Sequence, residues 1–410
     1  NNLYWITQDT SKWGKVYRQT ADIDASSTTT WASGKGFSPI GDETILFSGS
    51  YDGQSYKISS LFINKPSTVM VGLFGRTNGA TITSVKLESV NITGDASTGG
   101  LYVGGLIGYA TGGSSTTNCS SSGSVTATYM WSAVGGLIGY QEYSSVATNC
   151  FSSGSVSGGS NVVAGGLVGA QQYASSAINC YSNASVTAGA AASVGGLIGD
   201  QRNDAAVTNC YSTGSVAGGA VALAGGLIGN RATSSIATNC FWDITTSGKT
   251  TSAGGTGKTT AQMKDYSTFT GWSFKGISGG TIWNIGNSRN NGYPYLSWQY
   301  PNDPPLGTQQ ISVSSTFDTN TDGWTIEGLG SGPTYVSSGG NPGGYIYGEE
   351  AGGDDWYWKA PSKFLANQST SYGGSLSFDL RQYYTSSQYD IEDIIIEGGG
   401  LRIVFDTPNN

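Results

Sequence analysis

The chain has 410 residues with 64 glycines, 11 % charged residues and no histidine, which removes the commonest general base and every Ser-His-Asp or Cys-His arrangement. The formal charge of −8 is unevenly spread: residues 1–310 hold 14 acids and 15 bases (+1), and residues 311–410 hold 13 acids and 4 bases (−9). Neither part is a basic surface for nucleic acid, and no run of about 18 apolar residues would span a membrane.

Residues 1–20 are mixed and aromatic (Trp5, Trp13, Tyr17) and are expected to form an N-terminal cap over the first coil of the repetitive region that begins near residue 21. The opening Asn1-Asn2-Leu3-Tyr4-Trp5 has no basic and apolar leader, which implies a removed signal or an internal piece of a longer chain.

Residues 21–245 are organised by repetition. Gly104-Gly105-Leu106-Ile107-Gly108 returns at 135–139, 165–169 (with Val168), 195–199 and 225–229, and each copy is followed by Asn-Cys, at Cys119, Cys150, Cys180, Cys210 and Cys240. The period is 31 residues once and 30 thereafter. Such a period, rich in Gly, Ser, Thr and Val, predicts an all-β solenoid whose coils bury their inner faces against their neighbours. Gly72-Leu73-Phe74-Gly75 is an earlier, bulkier copy in which Val85 stands where Cys comes later. One unit is expected to make one coil with three short sides, and about seven coils to make a rod of ~35 Å. The cysteines form a buried ladder of thiols, since parallel Cβ vectors one coil apart suit neither disulfides nor a CxxC metal site.

Ser120, Phe151, Tyr181, Tyr211 and Phe241 follow the cysteines, and strand alternation places them outside. Stacked rings there either stabilise the coil or offer a surface to glycans. Residues 246–300 break the period and bring Trp272, Trp283, Tyr293, Tyr295 and Trp298, the composition of a C-terminal cap; Thr259 to Asp265 reads as a short helix with Met263 inward. Residues 301–310, rich in Pro, read as a stiff linker.

The repeats, with Asn209-Cys210-Tyr211-Ser212-Thr213-Gly214-Ser215-Val216, the lead-in Ala21-Asp22-Ile23-Asp24 and the exit Tyr293-Pro294-Tyr295-Leu296, resemble the GLUG-motif repeats of bacterial and archaeal surface proteins. That resemblance covers about residues 15–300. It implies a right-handed parallel β-helix on a secreted or surface-anchored, adhesin-like protein, and it carries no catalytic residues.

Residues 311–410 lose the period and read as strands at 311–317, 344–347, 375–380, 391–397 and 401–405. Phe317-Asp318 with Gly323-Trp324, Tyr357-Trp358-Lys359-Ala360-Pro361 and Ser375-Leu376-Ser377-Phe378-Asp379 resemble the laminin B module, also called laminin domain IV. The resemblance implies an extracellular, jelly-roll-like β-sandwich. Such modules continue beyond a segment like Gly399 to Ile403, so the sandwich looks incomplete. Either the chain continues, or a strand from another copy, with residues 1–7 as the first donor to test, fills the gap and builds a homo-oligomer or filament.

Within this module Asp318-Thr319-Asn320-Thr321-Asp322-Gly323 resembles the opening of a calcium loop, and Leu329 at its twelfth position excludes an EF-hand. Trp356, Tyr357 and Trp358, with Phe151, Tyr181, Tyr211 and Phe241, are the candidates for binding glycans. The best cluster from which a glycan-cleaving site could be built is Asp200, Arg202 and Asp204, with Glu142 and Arg231 at nearby turns of other units, and these read as separate surface charges rather than a carboxylate pair. The sequence thus points to an extracellular structural or adhesive protein, not an enzyme. It needs no organic cofactor, and its partners would be cell-surface or matrix glycans or proteins.

Overall fold

In a computed structural model, the described residues are 2–95, 100–286, 289–306, 314–340, 343–350, 356–365, 394–398 and 401–405. They fall into two compact units, Asn1–Leu306 and Gly307–Asn410.

The first unit is a parallel β-solenoid. One coil is represented by Ser193–Gly195, Ile198–Gln201, Ala206–Thr208 and the pair Tyr211–Ser212 and Val216–Gly218, so each coil has four faces rather than the three expected. The extra corner lies inside the glycine phrase. A Cβ on Gly135 would sit 2.0 Å from its own coil's Ile138 carbonyl oxygen and 2.7 Å from Gly169 N of the next coil, so only glycine lets the chain turn there without pushing the coils apart.

Pairing is in register along each face of the regular coils, with one shift, between Ser121 and Gly123, where Ser120–Ala127 meets Lys86–Gly94. Val103, Val134, Ala164, Val194 and Ala224 are successive partners on the first, Ile107, Ile138, Val168, Ile198 and Ile228 on the second, and Val125, Val156, Val186 and Val216 on the fourth. The third face has eight strands. Seven steps of about 4.8 Å make it ~34 Å long. Leu106, Leu137, Leu167, Leu197 and Leu227 fill the corner between the first two faces and are wholly buried. Toward the N-terminal end the core is bulkier: Phe74 pairs with Ile107, and Phe47 meets Phe74 at 4.8 Å.

The solenoid begins earlier than residue 21, for Val16–Arg18 already pairs in parallel with Ser50–Asp52. Ahead of it Asn2–Gln8 is a helix that buries Leu3, and Trp13 Nε1 donates to Ile6 O at 2.8 Å. Residues 2–7 are therefore not a free extended strand; their apolar side has a place in their own unit, which removes the geometric basis for strand donation.

The last coil is closed by Trp242 and residues 249–258. Trp242 Nε1 donates to Lys249 O, Gly226 N donates to Thr251 O, and Thr256–Lys258 adds one strand beside Phe241–Asp243. The aromatic segment beyond does not cap the coil end. It lies along the fourth face, packed against the row of outward rings there. The short helix Thr260–Met263 is capped by Thr259 and buries Met263. Residues 301–306 are no linker either. Asp303 pairs with Arg289 at 3.1 Å, Lys275 Nζ donates to Pro301 O and Asp303 O, and Leu306 is buried. Residues 307–310 lie outside the described residues.

The second unit shows three antiparallel pairs: Thr325–Gly328 with Trp356–Lys359, Gly330–Gly340 with Gly343–Glu350, and Ile394–Gly398 with Leu401–Phe405. The expected strand at 375–380 lies outside the described residues, as do 311–313, and Ser314 to Phe317 are not in a strand. No helix among the described residues is long and apolar enough to cross a membrane.

Candidate functional site

The fourth face carries the row of rings. Phe151, Tyr181, Tyr211 and Phe241 are register partners. Phe151 and Tyr181 stack at 4.9 Å, and Tyr181 and Tyr211 at 5.0 Å, each pair within 4° of parallel. The rings do point outward, but Phe269, Trp272, Trp283, Tyr293 and Leu296 cover them. Tyr181 and Tyr211 are 2 % and 0 % exposed, so no sugar reaches them; Phe151 and Phe241 are half-buried at the edges of the same cluster. Tyr211 donates its hydroxyl to Pro294 O and Tyr181 to Gln299 Oε1, and burial raises both phenols above their ordinary range.

Polar ladders run from coil to coil. Cys119, Cys150, Cys180, Cys210 and Cys240 are free and buried. Each thiol lies 3.1–3.3 Å from the carbonyl two residues back, and those of Cys150, Cys180, Cys210 and Cys240 also lie 3.4–3.5 Å from a carbonyl of the preceding coil. Burial pushes the thiols of Cys150, Cys180 and Cys210 far up. Gln141, Gln171 and Gln201 form a second buried ladder, joined amide to amide at 3.4 and 3.3 Å. Asn118, Asn149, Asn179, Asn209 and Asn239 form a third at the corner before the fourth face. All five have φ between 50° and 54°, the left-handed region that asparagine tolerates best among residues with a side chain.

The charged candidates do not converge on one site. Asp200 is buried, paired with Arg202 Nε at 2.6 Å, and accepts from Asn230 Nδ2 at 2.7 Å. Arg231 donates into the coil end, to Ala253 O and Ser235 O. Asp204 is exposed on a turn, and Glu142 accepts the Tyr109 hydroxyl. Asp318, Asn320 and Asp322 share one turn, in which Asn320 Oδ1 accepts from Asp322 N at 2.6 Å and Asp318 accepts from Thr316 Oγ1 at 2.7 Å. Among the described residues no three Cys, Asp or Glu side chains are grouped to hold a metal ion. Trp356, Tyr357 and Trp358 are half-buried on one strand, with Trp356 meeting Trp358 at 5.6 Å.

A second aromatic surface was not singled out from the sequence. On the first two faces Tyr102, Tyr109 and Tyr140 meet pairwise at 4.7–5.2 Å, with the Arg76 guanidinium 4.7 Å above Tyr109. Burial, then the bond to Glu142, raises the Tyr109 phenol. At the adjoining corner Tyr143 and Tyr173, 54 % and 43 % exposed, stack at 4.9 Å and 12°. The signal available in the sequence was two tyrosines at a position filled in neighbouring repeats by Gly112 and Asn203.

This architecture defines a repetitive β-solenoid protein with an appended antiparallel module. The chain carries GLUG-motif repeats, matched at residues 99–126, 132–157 and 190–217, and a Laminin B (Domain IV) segment, matched at 357–410. Halomucin of Haloquadratum walsbyi is 43 % identical over 123 residues, which are 28 % of this chain and 1 % of halomucin. Laminin subunit gamma-1 of Xenopus tropicalis is 33 % identical over 97 residues, 24 % of this chain and 6 % of that subunit. The chain thus spans only a small part of these relatives. A crystal structure of a Bacteroides ovatus protein, provisionally described as an immunoglobulin A1 protease, superposes with a TM-score of 0.55 at 20 % identity, covering 72 % of this chain and 90 % of that one; the likeness is one of fold.

Proposed function

We propose that the chain is a segment of an extracellular or cell-surface structural protein, in which the solenoid is a stiff spacer and the laminin-like module an attachment element. The observation that carries the reading is the pairing of successive coils in register from residue 16 to residue 243. Backbone bonds bind each coil to the next and side-chain ladders reinforce the regular coils, so the unit resists bending in the way stacked repeats do. Similarity to laminin subunits, which are matrix proteins, supports the location. Asp200 is tied to Arg202 and Glu142 to Tyr109 in separate places, which favours a scaffold over a glycan-cleaving site that needs two carboxyl groups at a fixed separation.

Brief protease treatment of intact cells of the producing organism tests this. Peptides of the chain are expected in the released fraction before lysis. Their appearance only after lysis would overturn the reading.

A further inference from the structure

We propose that the corner carrying Tyr143 and Tyr173 binds a neutral polysaccharide, with one sugar ring lying on the free face of Tyr143.

The corner between the second and third faces is a two-residue turn repeated in successive coils. Gly113 N donates to Tyr143 O, Ser144 N to Tyr173 O, and Ala174 N to Asn203 O, which aligns Gly112, Tyr143, Tyr173 and Asn203. All four have positive φ, at 62°, 48°, 51° and 52°. Glycine and asparagine suit that conformation, whereas a bulky tyrosine is an outlier there and costs backbone energy. Strain of this kind persists where something else is gained. Packing is not the gain, since both rings are about half exposed, in contrast to the fully covered Tyr211.

What the two tyrosines provide is a surface. Tyr173 supports one face of Tyr143, and the next coil on its other side carries Gly112 and Gly113, where a Cβ on Gly113 would meet nothing within 4 Å and one on the aligned Gly112 would meet the Asn78 side chain. The side-chain amide of Asn78 lies over Gly112 and borders the notch with donor and acceptor groups. Behind the ring, Glu142 and the Tyr102, Tyr109 and Tyr140 cluster extend the aromatic surface around the corner.

The chemistry selects the occupant. An open phenol face bordered by an amide suits the C–H face and hydroxyl rim of a pyranose. Of the nearby ions, Glu142 is engaged by a phenol, Arg76 lies above a ring and Arg202 is paired with Asp200, while the exposed carboxylate of Asp204, two coils from Tyr143, would repel an anionic polymer. Residues 1–310 have a net charge of only +1, so nothing favours an anionic polymer.

Native electrophoresis of the full chain, which carries −8, through gels holding soluble xylan, galactomannan, mixed-linkage β-glucan or dextran tests the proposal. Retardation is expected in at least one gel, with apparent affinity falling at least tenfold in Tyr143→Asn and severalfold in Asn78→Ala. Because asparagine suits the turn, Tyr143→Asn is expected to melt at the same or a higher temperature than the parent chain, so lost binding would not be lost folding. No retardation in any of the four gels would overturn the assignment and leave the corner to a protein partner. So would equal retardation of parent and Tyr143→Asn, or a marked fall in melting temperature for that variant, which would make the tyrosine a packing residue.

Discussion

The indole Nε1 of Trp298 donates to the carbonyl oxygen of Asn149 at 2.9 Å, joining the end of the non-repeating segment to a coil 149 positions earlier. Lys86, from a coil nearer the N-terminus, holds its ammonium 5.5 Å from the same ring system. The segment is thus a clasp that crosses several coils, whereas the repeats themselves pair neighbour with neighbour.

Clasp variants should therefore cost stability in proportion to burial. Trp283 is wholly buried between the clasp and the ring row, at 6.2 Å from Tyr181 and 5.9 Å from Tyr211. Trp283→Ala is expected to lower the unfolding free energy by about 3–5 kcal/mol, and Trp298→Ala, at the half-buried edge, by about 1–2 kcal/mol. Urea denaturation of the full chain checks both; equal effects would show that the edge bond, not the covered rings, secures the clasp.

Asp243 ties the last coil to the clasp. Its carboxylate caps Ile244–Ser247 by accepting from Thr245 N and Thr246 N, and also accepts from Thr260 Oγ1 and Tyr293 Oη, both at 2.7 Å. Burial, then this bond, pushes the Tyr293 phenol up to about 12. Asp243→Ala leaves several donors unpaired and is expected to cost about 3 kcal/mol, while Asp243→Asn keeps a capping oxygen and should cost about half as much. Thermal unfolding of the two variants gives the ranking, and a reversed order would show that the charge matters more than the cap.

The asparagine ladder makes a backbone prediction. Asn179 has φ of 53° and is bonded amide to amide with Asn149 and Asn209, each at 3.3 Å. Alanine loses the amides and resists that φ, whereas glycine loses only the amides. Asn179→Ala is expected to be less stable than Asn179→Gly by up to about 1 kcal/mol; equal midpoints in urea would mean that the amides alone select asparagine.

Much of the solenoid was legible because coil contacts recur at a fixed sequence offset. The cysteines, Val85 in the cysteine place and the valine row from Val125 to Val216 all align by period alone. The division between the first and second faces was hidden because the corner at Gly196 and Leu197 is made inside an apolar phrase that reads as one strand. The clasp was hidden for a different reason. Trp272, Trp283 and Trp298 have partners far away in the chain with no period to reveal them, so their bulk was assigned to the nearest uncovered surface, the coil end. Tyr143 and Tyr173 escaped notice because a strained φ is invisible in sequence until the turn is aligned with Gly112 and Asn203.

The thiol ladder sets a pH limit. Cys150, Cys180 and Cys210 are fully buried, and burial lifts each well above the ordinary thiol value of 9.0. In the unfolded chain the same thiols ionise near pH 8.5–9, so above that range the unfolded state binds fewer protons than the folded one. Stability is then complete below the unfolded value and falls as pH rises toward the folded values. The urea midpoint is expected to be flat from pH 7 to 8 and to drop steeply between about pH 9 and 10.5. A Cys150→Ala, Cys180→Ala, Cys210→Ala triple variant should begin lower at pH 7, since each alanine leaves a small void, and should lose less over the alkaline range. The phenols Tyr181 and Tyr211, also raised by burial, add their own loss above pH 10, so the comparison is made between pH 9 and 10. Parallel curves for parent and variant in that window would show that the thiols are not the titrating groups.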